Sequence, residues 1–340
     1  MISHKQIDLL FGRFRDVNAM VIGDVMIDAY LYGDVERISP EAPVPVVSLT
    51  KRINMLGGAA NVALNVKALG AVPLLFSVIG TDLKGSEFLE LLEKENMYTE
   101  GIIQSAGRIT TTKFRIIGNK SQMLRVDEEI ITDLDTETED LLLENISRTI
   151  NQKKIHVIIL QDYNKGVLTK RVIESVIKLA DEKHIPVVVD PKKKNFDAYK
   201  GVKLFKPNLK ELKEGLKTDF PASDQQALFD SIALFQDKQM HEMIMVTLGD
   251  KGMVIGYMKD GQRHFYSQAA HVRTISDVSG AGDTVISVAA LCLVLDCDVQ
   301  TITFLSNLAG GIVCEYVGVV PIDKERLMCE ARALANSDTE

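Results

Sequence analysis

Residues 277–284, Asp-Val-Ser-Gly-Ala-Gly-Asp-Thr, decide how this chain is interpreted, and the apolar run 285–295 follows them directly. Small residues before a helix allow several backbone N–H groups to converge on one anion, which the positive end of the helix dipole also attracts. The stretch therefore predicts a phosphate cradle at residues 280–282, at the start of a buried helix. Asp283 comes directly after the cradle and can accept the proton of an attacking hydroxyl group, which makes it the candidate catalytic base. The alternative is that the glycines form a turn and Asp283 only caps the helix.

The rest of the chain has the composition of a soluble globular protein. It has 340 residues, 46% of them hydrophobic, and 39 Lys and Arg against 47 Asp and Glu give a formal net charge of −8. This acidic balance argues against nucleic acid as a partner, because binding to phosphate backbones needs a basic surface. The apolar run 285–295 is much shorter than the ~20 residues that span a bilayer, and residues 1–16 lack the apolar core of a secretory signal. We therefore expect a cytoplasmic protein without a membrane partner.

Short apolar runs alternate with longer segments of helical period, which is typical of an α/β fold. The predicted core strands are 19–22, 74–78, 157–160, 186–189, 202–205 and 243–247. The predicted helices are 59–68, 85–95, 137–150, 170–183, 223–237, 285–295, 299–316 and 323–335. This order predicts a doubly wound, mostly parallel sheet with helices on both faces.

Two segments, about 30–53 and 110–127, depart from this alternation. The second alternates polar and apolar residues around a Gly118-Asn119 turn, as a β-hairpin does. We predict that the two segments form a small β-sheet that acts as a lid. No linker of low complexity and no internal repeat divides the chain, so residues 1–340 are expected to form one domain with this lid.

Other motifs lie where predicted strands end, which is where open α/β sheets bind their ligands. Gly57 and Gly58 precede a helix, and Asn61 would lie one turn into it with a donor and an acceptor for a sugar hydroxyl. Asn208 and Glu211 have the spacing of a ligand pair and equally the spacing of a helix capping box. The chain contains no G-x-x-x-x-G-K-[ST] loop, no G-x-G-x-x-G after the first strand and no protein-kinase signature, which excludes those nucleotide-binding classes.

Gly-Gly-Ala-Ala-Asn at 57–61, Asn-x-x-Glu at 208–211 and Gly-Ala-Gly-Asp at 280–283 occur in an order that resembles the ribokinase, or PfkB, family of carbohydrate kinases. The resemblance covers about 18–320 and implies a ribokinase-like fold and phosphoryl transfer from ATP with Mg²⁺. Segments 37–47, 112–113, 124–127, 162–166 and 190–192 further resemble the D-glycero-β-D-manno-heptose 7-phosphate kinases of that family. Those enzymes phosphorylate C1 of the heptose phosphate in the synthesis of ADP-heptose for the lipopolysaccharide core.

The resemblance assigns a role to each matching position. Asp283 is the base, and Gly280, Ala281 and Gly282 form the anion hole for the γ-phosphate. The sugar phosphate is held by Asp24, Asp28, Gly57, Gly58, Asn61, Lys113 and Arg125, of which the last two hold the distal phosphate. The nucleotide is bordered by Lys192, Lys206, Asn208, Glu211, Thr247, Gly249, Gly252 and Asn307. Asn208 and Glu211 also organise the Mg²⁺ ion.

The resemblance has departures and leaves alternatives open. Many heptose kinases continue into a nucleotidyltransferase domain with a His-x-Gly-His motif, which this sequence lacks, and Lys193 stands where a glycine is expected. Extended lid strands leave free edges, so we expect a homodimer through the lid. A kinase for another sugar or sugar phosphate, and a non-catalytic sugar or nucleotide sensor on the same fold, are the two main alternatives. The sequence also leaves open whether K⁺ orders the loop before Asp283.

Overall fold

The structure is a computed structural model that describes residues 2–119, 121–271 and 273–335. The strands are β1 (Asn18–Gly23), β2 (Val25–Ile38), β3 (Pro45–Gly58), β4 (Val72–Gly80), β5 (Ile102–Ser105), β6 (Thr112–Gly118), β7 (Ser121–Glu128), β8 (Val157–Gln161), β9 (Val187–Asp190), β10 (Leu204–Phe205), β11 (Met243–Thr247), β12 (Met253–Lys259) and β13 (Gln262–Gln268). The helices are α1 (His4–Arg13), α2 (Ala59–Ala68), α3 (Leu83–Lys94), α4 (Thr136–Gln152), α5 (Lys170–Glu182), α6 (Leu209–Leu216), α7 (Gln225–Gln239), α8 (Ala281–Val294), α9 (Val299–Val313) and α10 (Lys324–Leu334).

Nine strands form the central sheet, in the order β13-β12-β11-β10-β9-β8-β1-β4-β5. The pairs from β5 to β11 are parallel, and β12 and β13 extend the sheet as an antiparallel hairpin. Helices α1, α2, α3, α8, α9 and α10 bury one face, and α4 to α7 bury the other. The predicted α/β fold with a mostly parallel sheet is confirmed. Because β1 lies between β4 and β8, the strand order reverses at β1, and ligands of open α/β sheets bind at such a point.

The central strands match their predictions closely because strands covered on both faces are nearly continuous apolar runs. All five residues of β8 are buried, for example. The structure differs from the prediction at several places. The predicted strand 202–205 is reduced to Leu204–Phe205, and helices α1 and α6 and strand β5 were not predicted. The β12–β13 hairpin was also missed, because ten of its fourteen residues are partly or fully exposed and it lacks the apolar run of a central strand.

The predicted small sheet is confirmed as a second sheet of four strands, in the order β3-β2-β6-β7. We call this sheet the lid, and its action as a lid stays a prediction. Its first two strands are longer than the predicted segment 30–53, since β2 and β3 run from Val25 to Gly58 with one short loop. Asp28, one of the residues expected to hold the sugar, therefore lies within lid strand β2. β3 and β7 are the edges of this sheet in the described part of the chain, and pairing of two chains through the lid stays a prediction.

Helix α8 lies in the interior of the protein. Residues 283–293 are all buried, which explains why its sequence is apolar without an amphipathic period. Its N-terminus points to the carboxyl ends of β8 and β9, because Gln161 and Asp190 both lie within reach of its first turn. The helix thus places Asp283, the candidate base, at the edge of the sheet where the strand order reverses.

Replacement of Leu291 in α8 tests this burial. Leu291→Ala should lower the free energy of unfolding by about 2–5 kcal/mol, because the side chain is fully buried and its removal leaves a cavity. Leu234→Ala in α7 is the control, since Leu234 is 66% exposed and should change stability by less than about 0.5 kcal/mol. Urea denaturation measures both, and equal effects would contradict the interior position of α8.

Candidate active site

Asp283 is buried, with 3% of its surface exposed, and three side chains donate hydrogen bonds to it. Asn61 Nδ2 donates to Oδ2 at 2.7 Å, while Tyr163 Oη and Gln161 Nε2 donate to Oδ1 at 2.7 and 3.3 Å. Burial raises the pKa of Asp283 to about 6, and the bonds from Asn61 and Tyr163 oppose that rise. The N-cap residue of α8 is Gly280, and no side chain forms a capping hydrogen bond at this N-terminus in the described residues. Asp283 therefore does not act as the helix cap, which was the alternative explanation of the motif.

The three residues before Asp283 form a narrow turn at the start of α8. Gly280 has φ +80°, and a Cβ there would lie 3.1 Å from Asn61 Nδ2. A Cβ on Gly282 would lie 3.6 Å from both Asp190 Oδ2 and Lys206 Nζ, which form a buried ion pair at 3.0 Å. The first N–H groups of a helix have no partner within it. The Ala281 N–H donates to the Val278 carbonyl at 3.3 Å. The turn thus lies beside a buried lysine, and the anion hole at residues 280–282 stays a prediction.

The residues predicted to hold the sugar lie together between the lid and the central sheet. Asp24 is buried, and its carboxylate accepts backbone N–H groups of the loop after β8. Asp28 forms a buried ion pair with Arg115, and Gly57 lies so close that a Cβ there would meet Asp28 Oδ2 at 2.2 Å. In this structure the polar groups of Asp24, Asp28 and Asn61 are thus engaged within the protein, and their contacts with a sugar stay predictions.

The predicted distal-phosphate residues Lys113 and Arg125 share one face of the lid. Cross-strand pairing puts Lys113 beside Asp28 and Arg125 opposite Arg115. Both predicted cations already pair with acids, since Lys113 Nζ lies 3.1 Å from Asp127 and Arg125 Nε lies 2.9 Å from it. Arg115 was not predicted, although it follows Lys113 at the period-two spacing that puts both side chains on one face.

A cavity of about 820 Å³ lies between this lid face and two loops of the main domain. The lid contributes Tyr30, Tyr32 and Arg115 to its wall, and the main domain contributes Asp277 and Val317. The Arg115 guanidinium also stacks on the Tyr30 ring at 5.2 Å. A cation in the wall of a cavity beside Asp28 is suited to an anionic group of a sugar substrate.

A second cavity, of about 570 Å³, adjoins the first turn of α8. It brings together six residues predicted for the nucleotide side and the anion hole, namely Thr247, Gly249, Gly252, Asn307, Ala281 and Gly282. Asn307 is oriented by its amide, which donates to the Ala269 carbonyl at 2.7 Å. The wall further contains His271 and Arg273, which sequence reasoning missed because they lie in a segment without a recognisable motif. Its mixture of apolar and small residues suits a flat heterocycle.

Asn208 and Glu211 form a complete capping box at the start of α6. Asn208 Oδ1 accepts from the Glu211 N–H at 2.8 Å, and Glu211 Oε2 accepts from the Asn208 N–H at 2.9 Å. The other oxygen of Glu211 pairs with Lys192. Asn208 also bridges to Thr247 in the wall of the 570 Å³ cavity. The spacing thus serves the helix, and the pairing of Asn208 with Thr247 brings the start of α6 to the wall of that cavity. The roles of Asn208 and Glu211 toward the nucleotide and Mg²⁺ stay predictions.

Gln161, Tyr163 and Asp190 around Asp283 were not predicted as site residues. Each belongs to a short polar stretch at the end of a predicted strand, either Gln161-Asp-Tyr163 or Asp190-Pro-Lys192. A polar stretch in that position was the one sequence feature that could have marked them as site residues. Their individual roles could not be read from the sequence because they depend on contacts across more than 90 residues of chain.

Residues 17–325 match the family described as pfkB family carbohydrate kinase. The chain belongs to this family. It is a carbohydrate kinase of the pfkB family, and the match includes every residue placed in the candidate site.

Several curated relatives of this pfkB kinase are named bifunctional protein HldE. That of Aliarcobacter butzleri is 38% identical over 301 residues, which cover 88% of this chain and 61% of the relative. That of Desulfatibacillum aliphaticivorans is 37% identical over 317 residues, covering 93% of this chain and 63% of the relative. The chain thus spans about three fifths of the length of these relatives.

Solved structures of pfkB kinases share the fold of this chain. Escherichia coli phosphofructokinase-2 in complex with potassium has a TM-score of 0.76 at 15% identity, covering 93% of this chain and 98% of that one. Arabidopsis thaliana ribokinase complexed with ribose and ATP has a TM-score of 0.68 at 15% identity, covering 92% and 98%. In the residues that the structure describes, no helix is long and apolar enough to cross a membrane.

The two glycines of the α8 turn allow a matched test. Gly280→Ala should lower the free energy of unfolding by about 1–3 kcal/mol, because a side chain is strained at φ +80°. Gly282→Ala meets only ordinary contacts in a helical position, so its stability should stay equal or rise by up to about 1 kcal/mol. Thermal unfolding measures both variants. Strong destabilisation by Gly282→Ala would contradict the ordinary van der Waals distances found for a Cβ at this residue.

Proposed function

We propose that this carbohydrate kinase transfers the γ-phosphoryl group of ATP to the C1 hydroxyl of D-glycero-D-manno-heptose 7-phosphate, giving the 1,7-bisphosphate for ADP-heptose and lipopolysaccharide core synthesis. The observation that carries the proposal is the position of Asp283. It lies in the first turn of α8, which adjoins the 570 Å³ cavity, and it accepts a hydrogen bond from Asn61 of α2, the helix that follows lid strand β3. The resemblance of the lid segments to heptose 7-phosphate kinases and the relatives named HldE support the choice of sugar.

In the proposed reaction Asp283 accepts the proton of the C1 hydroxyl while its oxygen attacks the γ-phosphorus. The bond between the γ-phosphorus and the bridging oxygen breaks, and ADP leaves with that electron pair. Residues 280–282 and the buried Lys206 stabilise the charge on the phosphoryl group in transfer. The 570 Å³ cavity holds the adenine and ribose, with Thr247, Gly252 and Asn307 in its wall.

Mg²⁺ is the proposed metal, and the donor set near the nucleotide fits it. Mg²⁺ commonly binds one or two protein carboxylates together with phosphate oxygens and waters, so it needs no cage of protein ligands. Glu211 and Asn208 provide a carboxylate and an amide oxygen beside the cavity. The described residues contain no group of three or more His, Cys, Asp or Glu suited to a metal. When bound, Mg²⁺ would neutralise phosphate charge.

Three further properties are part of this proposal. The chain acts in the cytoplasm, forms a homodimer through the lid edges, and uses K⁺ as well as Mg²⁺. A potassium complex exists for E. coli phosphofructokinase-2, and a tetrameric inhibited form of that enzyme has been solved. Gel filtration tests the dimer, and rates in KCl against NaCl test the ion.

The substrate is tested with a panel of D-glycero-D-manno-heptose 7-phosphate, sedoheptulose 7-phosphate, fructose 6-phosphate and ribose. We expect ADP release to depend on the heptose phosphate and the product to be the 1,7-bisphosphate. If only another sugar of the panel were phosphorylated, the kinase activity would be supported, but the proposed heptose substrate would be wrong. Binding of sugar and ATP without turnover of any sugar would favour the sensor alternative.

The base is tested with Asp283→Asn. Its kcat should fall by about 10²–10⁴-fold, since the amide cannot accept the proton, while ATP binding measured by calorimetry should persist. In the wild type kcat/KM should fall as the pH drops through about 6, because the Asp283 pKa is near 6 and only the ionised form accepts a proton. Substantial kcat in Asp283→Asn would contradict the mechanism.

The lid cations are tested by Lys113→Met and Arg125→Gln. Each should raise KM for the phosphorylated heptose about tenfold or more, because a charged contact with the phosphate is lost. Arg52→Gln is the matched control, since Arg52 pairs with Leu31 and lies on the opposite face of the lid. If KM rises equally for an unphosphorylated sugar, these residues do not bind the phosphate.

A further inference from the structure

The loop after β8 is anchored by the carboxylate of Asp24. Asp24 Oδ2 accepts the N–H groups of Tyr163 at 2.8 Å and of Lys165 at 3.1 Å, and Oδ1 accepts that of Val167 at 3.0 Å. Asp24 is 1% exposed, so these charge-assisted bonds are shielded from water and strong. The backbone of residue 163 is therefore fixed relative to the end of β1.

This fixed loop places the Tyr163 hydroxyl against one oxygen of Asp283. Tyr163 and Gln161 both donate to Oδ1, while Oδ2 accepts only from Asn61 among the described residues. A carboxylate oxygen has two acceptor positions. Both positions on Oδ1 are filled, and one on Oδ2 remains for a further donor.

We propose that Tyr163 is a positioning residue for the base: its hydroxyl, placed by the loop that Asp24 anchors, holds the Asp283 carboxylate so that Oδ2 receives the proton of the attacking hydroxyl group. The inference rests on the proposed role of Asp283. It adds a role for Tyr163 that the resemblance to known kinases did not assign, and it explains why Asp24 binds backbone rather than solvent.

The charged groups that face Asp283 define the expected effect of pH. Asp190 lies on the β9 side and raises the Asp283 pKa, while Lys206 after β10 lowers it. Lys192 lies 5.6 Å from the Tyr163 ring, and Asp28 faces the Tyr163 hydroxyl from the lid. The Tyr163 pKa is raised well above its ordinary value by burial and by Asp283, so the hydroxyl stays a donor. Removal of the Tyr163 hydroxyl takes away a hydrogen bond that stabilises the ionised form of the buried Asp283 carboxylate, so the Asp283 pKa must rise.

The experiment compares the wild type with Tyr163→Phe, which keeps the ring. With the sugar of the panel that is turned over, the acid limb of kcat/KM should move upward by roughly one pH unit, as expected for the loss of a hydrogen bond to a charge. The kcat should fall by about tenfold or more with little change in KM for ATP, because the base is displaced and nucleotide contacts are kept. Gln161→Leu should shift the limb less, since its bond is longer.

Tyr199→Phe is the matched control. The Tyr199 hydroxyl donates to Asp162 Oδ2 at 2.8 Å, in the same loop but away from the base. This variant should lose stability without moving the acid limb. Equal shifts in Tyr163→Phe and Tyr199→Phe would reveal a general loosening of the loop and overturn the proposal.

A titration without substrate separates this inference from the proposed function. The Asp283 carboxyl carbon is followed by ¹³C NMR in protein labelled at aspartate and is assigned by its absence in Asp283→Asn. Its midpoint should lie higher in Tyr163→Phe than in the wild type even if no sugar of the panel is turned over. An unchanged midpoint would overturn the inference, whatever the substrate proves to be.

Discussion

A buried negative charge at the N-terminus of α8 is the constraint on which the site depends. Taking a carboxylate out of water is costly unless donors replace the lost solvent. For Asp283 these donors come from α2 through Asn61 and from the end of β8 through Gln161 and Tyr163. Two segments distant in sequence must therefore meet α8 in one arrangement, and the sheet order provides it.

The compensation of buried charge continues along the carboxyl edge of the sheet. Asp24 after β1 is satisfied by backbone N–H groups, Asp190 at the end of β9 by Lys206, and Glu211 by Lys192 and its own helix cap. Gln161 connects two of these centres, because its amide donates to both Asp190 and Asp283. The polar groups at the strand ends thus form a connected network and not a set of separate caps.

The sequence was most informative where one segment determines its own environment. The apolar strands, the buried helix α8 and the glycine turn at 280–282 are local patterns, and the structure agrees with them. Partners across the sheet were not predictable, since the bonds of Asp283 join residues more than 100 positions apart. The lid shows both limits. Its hairpin period was visible, and that period puts Arg125 and Asp127 on one face of β7, but the pairing of Lys113 with Asp127 depends on the register between β6 and β7.

Two of the four lid strands, β2 and β3, are joined to the main domain by very short connections. Only Asp24 separates β1 from β2, and β3 runs directly into α2 at Gly58. β2 and β3 are hydrogen-bonded to each other along their length. A movement of this strand pair would therefore be transmitted to the first turn of α2, which follows β3 directly. Asn61 lies on that turn and donates a hydrogen bond to Oδ2 of Asp283, the proposed base. In the proposed reaction, a rotation of the lid over the sugar would also turn Asn61 and the Asp283 carboxylate that it contacts, so that enclosure of the substrate and alignment of the base would be one movement.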